Sequence, residues 1–297
     1  MTDRLDTSFL HAIPLAVRPW EELRLILVGV GGTGSWLAPQ VARLMSVLKE
    51  QRKRVSFLIV DPDIVEAKNI ARQNFCHADV RREQPLHKAT SMAFRLGMTY
   101  GIDIDAVTER FDPDLLEDYP YPDYREHIER LTVILGCTDN AAARRSIFNV
   151  LEANRSYEAP RFWVLDCGNV SESGQVLLGS AHTIEAMRHA FKFTKQCIAL
   201  PSPALQAPDL LVPRPEEREN PSLSCAEMAI ANAQSLMINC ALAYEAADYL
   251  LRMLITGTLK RYATYIDLPS GRKTSSYITP GSLALTLGKD ASFFLKK

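Results

Sequence analysis

The sequence predicts an α/β fold with a doubly wound, mostly parallel sheet and helices on both of its faces. Strand-length apolar runs alternate with helical patterns between residues 24 and 178, and a glycine-rich turn connects the first strand to the first helix. After residue 224, a long apolar helix precedes two further strand-like runs. These runs predict a C-terminal extension of one long helix and antiparallel strands.

Composition narrows the class of protein. The 297 residues are 47% hydrophobic and 23% charged, an ordinary globular mixture that excludes a wholly disordered chain and a disulfide miniprotein. The net charge of −1 excludes a globally basic nucleic-acid binder. The six cysteines form no C-x-x-C pair, so we expect no zinc.

The sequence lacks the patterns that are typical of export or membrane insertion. Residues 1–6 carry acidic side chains and no apolar core of a signal peptide. The most apolar stretch, 226–255, contains charged and amide groups that are too costly in lipid for a spanning helix. We therefore expect a cytoplasmic protein without a membrane or nucleic-acid partner.

The first half of the chain alternates strands and helices. Residues 24–28 predict the first strand, and residues 35–49 have apolar side chains at helical spacing. A second strand over 55–60, a helix over 87–97 and a third strand over 102–108 follow. This order is typical of parallel strands joined by helical crossovers.

The same alternation continues in the second half. We expect a strand over 131–135, a helix over 141–154 and two strands over 161–165 and 175–178. The sequence divides into three segments: an N-terminal extension over 1–22, a main domain over 23–259, and C-terminal strands with a tail over 260–297.

The amino-acid composition changes near residue 200, where prolines become frequent. Six prolines between residues 201 and 221 remove backbone donors, which predicts a long exposed loop. The helix over 224–255 is apolar around most of its circumference, so we expect one side to be buried on the sheet and the other on a partner subunit. Strand-like runs over 262–268 and 276–279 end at a Pro280-Gly281 turn.

The glycine-rich turn satisfies the G-x-G-x-x-G pattern of Rossmann-like folds through Gly29, Gly31 and Gly34, with a further glycine at Gly32. Glycine lets the backbone turn tightly and approach a phosphate closely, and the helix that follows offers free N–H groups to an anion. Because a predicted strand precedes the turn and a predicted helix follows it, the pattern favours nucleotide binding over a simple tight turn.

Polar residues follow the second strand. Asp61 stands at its end, where an acid binds ribose hydroxyls in dinucleotide folds; its alternative role is a turn residue before Pro62. Asn69, Arg72 and Gln73 come next. Guanidinium and carboxamide groups bind phosphate oxygens, so this cluster favours a triphosphate, although a solvated polar loop would have a similar composition.

Two further charged residues are candidates for the same site. Lys88 adds a positive charge downstream of the polar cluster. Asp139 ends the fourth strand, at the sheet edge where ligands of open α/β folds bind. A carboxylate there can hold a magnesium ion that bridges phosphates, or it can be the N-cap of the next helix.

These motifs together resemble the ThiF/MoeB/HesA family, the bacterial branch of the ubiquitin-activating enzymes. The resemblance rests on the glycine pattern, Asp61, Asn69-x-x-Arg72-Gln73 and the string Cys137-Thr138-Asp139-Asn140, and it runs over about residues 25–255 in the family's order. Within the family, residues 72–76 and 235–239 resemble the ThiF-type proteins of PRTRC gene clusters.

The resemblance implies a reaction. Such enzymes bind ATP and Mg²⁺, adenylate the C-terminal glycine of a small ubiquitin-like or sulfur-carrier-like protein, release pyrophosphate, and commonly act as homodimers. By this resemblance Asp61 binds ribose, Asp139 holds magnesium, and four residues face the phosphates: Asn69, Arg72, Gln73 and Lys88.

The chain also departs from the family pattern. The glycine that usually precedes the family's lysine is absent before Lys88, so Arg81 or Arg82 is an alternative to it. The two zinc-binding C-x-x-C pairs of many relatives are missing. Relatives lend an N-terminal arginine to the neighbouring subunit, and Arg4 and Arg18 are the candidates here.

Cys225 resembles the family position just before the long helix, where some relatives use a cysteine for thioester or acyl-disulfide chemistry. A helix N-terminus favours the thiolate, which makes this residue a possible nucleophile. The alternative is a small residue buried at the start of a helix.

Two other functions stay open. An oxidoreductase that uses NAD or FAD would share the glycine pattern and Asp61, but it would leave Arg72 and Asp139 unexplained. A non-catalytic nucleotide-binding scaffold of a multi-protein system would explain the unusual lysine segment.

Overall fold

A computed structural model describes residues 7–80, 84–117, 128–155, 159–192, 196–213 and 236–295. Its strands are β1 Glu22–Val28, β2 Arg54–Val60, β3 Asp105–Val107, β4 Arg130–Gly136, β5 Phe162–Asn169, β6 Ser173–Gly179, β7 Phe191–Lys192, β8 Gln196–Cys197, β9 Arg261–Asp267 and β10 Arg272–Tyr277. Its α-helices are α1 Ser8–His11, α2 Gly32–Glu50, α3 His77–Val80, α4 Lys88–Tyr100, α5 Ala141–Asn149, α6 Pro203–Gln206, α7 Leu236–Leu251 and α8 Pro280–Leu287.

One eight-stranded sheet organises the chain in the order β10-β9-β6-β5-β4-β1-β2-β3. The five strands from β3 to β5 in this order are parallel, whereas β6, β9 and β10 are antiparallel to their neighbours. The predicted mostly parallel α/β fold with antiparallel C-terminal strands is therefore confirmed.

The strands are apolar because helices cover both faces of the sheet. Alternate residues of β1 enter opposite cores: Leu25 and Leu27 pack on the side of α2 and α4, and Ile26 packs on the side of α5. Buried parallel strands need this continuous apolar pattern, since neither face meets water. The continuous apolar runs that predicted these strands therefore result from the burial of both faces of the sheet.

Helix α7 packs against α2 and the sheet through one side only. Ile238, Leu242 and Tyr249 are buried on that side, while Met237 and Tyr244 are exposed on the other. The expected burial of both sides is therefore not met within the described residues of one chain. None of the described helices combines the length and the apolar character that a membrane span requires.

The proline-rich segment contradicts the expected irregular loop over its described part. Pro203 begins α6, and Pro208 begins a 3₁₀ turn that extends to Leu211. Proline is favoured at a first helical position, where its missing N–H needs no partner. Ser202 Oγ caps α6 by accepting from the Leu205 N–H at 3.3 Å, and Pro203 is buried rather than exposed.

The expected Pro280-Gly281 turn is also wrong, because helix α8 starts there. Thr279 Oγ1 accepts from the Ser282 N–H at 3.0 Å, Pro280 occupies the first turn, and Gly288 ends the helix at φ +62°. A capping threonine, a first-turn proline and a terminal glycine are the ordinary signals of helix ends. They stand in the sequence and could have predicted this helix.

Replacement of Gly34 by alanine tests how closely α2 approaches the strands. A Cβ on Gly34 would stand 1.9 Å from the Gly29 carbonyl oxygen and 3.1 Å from Cys137 Cβ. We expect Gly34→Ala to lower the free energy of unfolding by about 3 kcal/mol, measured by urea denaturation.

The matched control is Gly281→Ala in α8, where a Cβ would meet no atom within 4 Å. This change should leave the unfolding free energy unchanged or raise it by about 0.5 kcal/mol, since alanine is the better helix former. Equal effects of the two substitutions would contradict the close approach at Gly34.

Candidate functional site

The predicted site residues meet at the carboxyl ends of β1, β2 and β4. The glycine loop, residues 29–34, follows β1, Asp61 follows β2, and residues 137–140 follow β4. The chain runs from β1 to β2 on one side and reaches β4 on the other, so the strand order reverses here. Open α/β sheets bind their ligands in the crevice at such a reversal.

The glycine loop lies directly on the end of β4. Gly29 has φ +87°, and a Cβ on it would stand 2.7 Å from the Cys137 carbonyl oxygen. Helix α2 begins at Gly32, and no side chain caps its N-terminus. The first amides of this 19-residue helix therefore point into the crevice, as at other anion-binding helix ends.

Asp61 joins the glycine loop to the end of β2. Its Oδ2 accepts from the Val30 N–H at 2.7 Å, and its Oδ1 accepts from the Asp63 N–H at 2.9 Å. Burial raises the pKa of Asp61 to about 6, although the positive charge of Lys88 and these hydrogen bonds oppose the rise. The carboxylate is thus an internal support of the loop as well as the predicted ribose ligand.

The polar segment, residues 69–74, lies beside the glycine loop. Gln73 Nε2 lies 3.9 Å from the position that a Cβ on Gly31 would take. Two buried amide atoms in this segment, Asn69 Nδ2 and Gln73 Oε1, have no hydrogen-bond partner among the described residues. Buried polar groups are rarely left unpaired, so these atoms indicate that a polar ligand completes the site.

The first turn of α2 holds the polar segment in place. The Trp36 Nε1–H donates to the Arg72 carbonyl at 3.1 Å, and the Asn74 N–H donates to Ser35 Oγ at 2.9 Å. The backbone that carries the partly exposed Arg72 is therefore fixed relative to the glycine loop. Sequence reasoning missed Ser35 and Trp36, and their position directly after the glycine pattern is the signal that could have found them.

Lys88 is brought to the site on the β2 side. It is the first residue of α4, is buried, and places Nζ 2.7 Å from Asp63 Oδ2. Sequence reasoning missed Asp63 as its partner, although the Asp61-Pro62-Asp63 spacing was visible. The alternatives Arg81 and Arg82 lie outside the described residues.

Asp139 is partly exposed at the end of β4, and Asn140 rather than Asp139 is the N-cap of α5. Asn140 Oδ1 accepts from the Ala143 N–H at 2.7 Å. The alternative role of Asp139 as that N-cap is therefore wrong. Asp139 directly follows Thr138, whose methyl group would lie 3.4 Å from a Cβ on Gly29.

The remaining candidate residues either have a partner elsewhere in the chain or lie outside the described residues. Arg18 forms an ion pair with Glu129 of the same chain. Arg4 and Cys225 lie outside the described residues, as do residues 214–221 of the proline-rich segment.

A pocket of about 510 Å³ opens beside the crevice. Its lining includes Arg144, Gly168, Asn169, Tyr265 and Arg272. Arg144 Nε also pairs with the buried Asp166 Oδ1 at 3.2 Å, and burial raises the pKa of Asp166.

Asn239 of α7 connects this pocket to the glycine loop. Its Oδ1 accepts from the Asn169 amide at 3.2 Å and from the Thr33 hydroxyl at 3.1 Å. The wall of the pocket and the start of α2 thus share one amide oxygen.

The raised pKa of Asp61 predicts a pH-dependent stability. Between the ordinary value of 3.8 and about 6 the folded state binds more protons than the unfolded state. The contribution of Asp61 to the unfolding free energy therefore falls as the pH rises through this window, by up to about 3 kcal/mol. The measurement is the wild-type value minus that of Asp61→Asn, from urea denaturation between about pH 4 and about pH 7.

Asp290→Asn is the control, because the pKa shift of Asp290 has the opposite sign. Hydrogen bonds from Ser292 hold the pKa of Asp290 below its ordinary value of 3.8, so its contribution is lost only below that value, and the Asp290→Asn difference should stay nearly constant across the window in which the Asp61→Asn difference changes. A difference for Asp61→Asn that rises with pH would contradict the burial effect.

Comparison with known proteins identifies the family. The sequence model of the ThiF family matches residues 15–275, which include the glycine loop, Asp61, the polar segment and Asp139. The chain matches none of the curated proteins with which it was compared. Because the match spans most of its length, the chain belongs to the ThiF family.

Proposed function

We propose that this protein is an ATP-dependent adenylyltransferase that activates the C-terminal carboxylate of a small ubiquitin-like or sulfur-carrier-like protein and releases pyrophosphate. ThiF membership supports an adenylyltransferase of the E1-like kind, and proteins of this family generally bind ATP. The buried amide atoms of the polar segment that have no partner among the described residues, Asn69 Nδ2 and Gln73 Oε1, carry the proposal. They lie beside the glycine loop, in an Asn-Arg-Gln segment that a dinucleotide site would not need.

ATP would bind along the crevice. The carboxylate of Asp61 would accept from ribose hydroxyls, and the first amides of α2 would bind phosphate oxygens. Asn69, Arg72 and Gln73 would complete the phosphate site, with Lys88 behind them beside Asp61 and Asp63. Adenylation brings two anions together, so fixed positive groups lower the cost of the approach of the carboxylate to the α-phosphate.

A magnesium ion fits the donor set at Asp139. Among the described residues no group of three or more His, Cys, Asp or Glu side chains forms a metal cage. Magnesium is usually held by one or two carboxylates together with phosphates and water, so a single partly exposed carboxylate suits it. Asp139 would hold the ion, whose charge would offset that of the phosphates.

The carrier protein would present its C-terminal tail from the side of the 510 Å³ pocket. The lining of the pocket carries both signs of charge, with Arg144, Arg272, Asp209 and Asp267, and these groups would offer hydrogen-bond donors and acceptors to an extended peptide. Residues 201–221 would act as a crossover over the tail. We also propose that the protein acts as a homodimer in the cytoplasm and belongs to the PRTRC subtype. Cys225 would act as a thiol nucleophile.

The oxidoreductase and the scaffold differ from an adenylyltransferase in the ligand that they bind and in the product that they release. An oxidoreductase would bind NADH or a flavin and leave Asn69, Arg72 and Asp139 without a task. A scaffold would bind nucleotide without releasing pyrophosphate. We favour the adenylyltransferase because the polar segment, which lies beside the glycine loop where it would bind phosphates, has buried amide atoms without a partner in the described part of the chain.

Calorimetric titration of ATP with and without magnesium, against NADH, tests the nucleotide site. We expect ATP to bind, and Asp139→Asn to lose the part of the affinity that depends on magnesium. Tighter binding of NADH than of ATP, unaffected by Asp139→Asn, would overturn the proposal in favour of an oxidoreductase.

Arg72→Gln tests the phosphate contact separately from the base and ribose. Loss of a charge-assisted hydrogen bond costs about 1.5 to 3 kcal/mol, so ATP affinity should fall by about tenfold or more while adenosine affinity is kept. The matched control is Arg43→Gln on the exposed face of α2, where Arg43 Nε contacts the Tyr100 hydroxyl at 2.9 Å. Equal losses for ATP and adenosine would contradict a phosphate role for Arg72.

A further inference from the structure

Two cysteines lie side by side under the glycine loop. Cys167 belongs to β5, and Cys137 follows the last residue of β4. The two strands are parallel, and their register ends with the pair Gly136 and Asp166, so the next pair in register is Cys137 and Cys167. Paired residues of neighbouring strands point to the same face of the sheet.

The side chains of this pair face the core below α2. A Cβ on Gly136 would approach Asp166 Oδ1 at 3.2 Å on the α5 face, so the next residues of both strands point to the opposite face. Cys137 Cβ is accordingly 3.1 Å from the Cβ position of Gly34, and both cysteines pack with the core that contains α2. The two sulfur atoms therefore share one small space.

The thiols also contact each other. A hydrogen bond with the Cys137 thiol, together with burial, raises the pKa of Cys167 well above its ordinary value. Neighbouring strands are about 4.8 Å apart, and disulfides join Cα atoms that are about 4.4 to 6.8 Å apart. The strand spacing thus places the two residues within reach of a disulfide without movement of the strands.

Access to the pair is one-sided. Cys137, in the loop that follows β4, is partly exposed, whereas Cys167 is 3% exposed. Cys197, another buried cysteine, lies elsewhere and donates its S–H to the Ala199 carbonyl at 3.1 Å. Cys137 is therefore the more accessible residue of the pair, and the Cys167 thiol lies beside it.

We propose that Cys137 and Cys167 form an oxidation-sensitive modification site whose disulfide lowers the affinity of the crevice for nucleotide. The oxidant is a two-electron acceptor of the peroxide class. The effect on affinity rests on the proposed nucleotide site, whereas the formation of the disulfide does not.

The disulfide forms in two steps. Hydrogen peroxide oxidises the Cys137 thiol to sulfenic acid, as its O–O bond breaks and one water is released. The Cys167 sulfur then attacks the Cys137 sulfur, the S–O bond breaks, and the thiol proton leaves with the hydroxyl group as a second water. A dithiol reductant reverses the product to two thiols by exchange and is itself oxidised.

The disulfide acts on the crevice through the loop that Cys137 begins. The Cys137 carbonyl oxygen would lie 2.7 Å from a Cβ on Gly29, and Cys137 Cβ would lie 3.1 Å from a Cβ on Gly34. Asp139 follows two residues later in the same loop. A bond of about 2.05 Å is shorter than a thiol hydrogen bond, so we expect the disulfide to draw the Cys137 side chain toward Cys167 and to shift the loop that Cys137 begins. Displacements near 1 Å at a binding constellation have large effects.

The test treats the full-length protein with diamide, an oxidant that joins thiols, and then maps the peptides by mass spectrometry. We expect a peptide pair that links Cys137 to Cys167 with the loss of two hydrogens. ATP affinity, measured by calorimetry, should fall at least fivefold and return after dithiothreitol. Saturating ATP should slow the formation of the link, because it covers Cys137.

Cys167→Ser removes the second thiol and should make ATP affinity insensitive to diamide. Cys167→Ala is prepared in parallel, and thermal melting of both reduced variants checks that they fold. The matched control is Cys240→Ser in α7, a partly exposed thiol outside the pair, which should respond to diamide as the wild type does.

Two results would overturn the proposal: no link between Cys137 and Cys167, or a link that leaves ATP affinity unchanged. If the reduced wild type binds no ATP, the proposed nucleotide site fails instead, and the link is still scored by mass. With hydrogen peroxide, dimedone labelling of Cys137 in Cys167→Ser identifies the sulfenic acid and the order of the steps.

Discussion

The site depends on the absence of side chains where the glycine loop meets the end of β4. Gly29 and Gly34 leave room for the Cys137 carbonyl and for each other's backbone, at distances that no Cβ would tolerate. This contact lets α2 start directly on the sheet, so its N-terminal amides face the point where the strand order reverses. The polar segment and Asp139 are close to those amides because β2 and β4 are the two neighbours of β1.

Buried charged groups hold the glycine loop in place, and their burial is unfavourable for the charged form of Asp61. Asp61 is buried, which disfavours its charged form, and two backbone amides together with Lys88 offset part of that cost. Lys88 is itself paired with Asp63, so charges of both signs lie behind the loop before any ligand binds. A preformed polar environment of this kind needs little rearrangement when an anion enters.

The same closeness couples the crevice to its surroundings. Asn239 joins the start of α2 to the wall of the neighbouring pocket, and Cys137 joins the loop to β5. A ligand in the pocket or a bond between the two thiols therefore acts on the glycine loop through one residue in each case. The ThiF family match covers residues 15–275 and therefore includes all the residues that form this crevice.

The sequence by itself determined the parallel half of the sheet, the glycine loop and the polar segment, because these follow from periodicity and from motifs a few residues long. It also holds the capping signals of Ser202 and Thr279, each followed by proline, which start helices where the proline content alone predicts a loop and a turn. Only the tertiary structure decided that Asn140 caps α5, that Lys88 pairs with Asp63, and that Cys137 meets Cys167. Strand order and register set these pairings, and they bring together residues that are far apart along the chain.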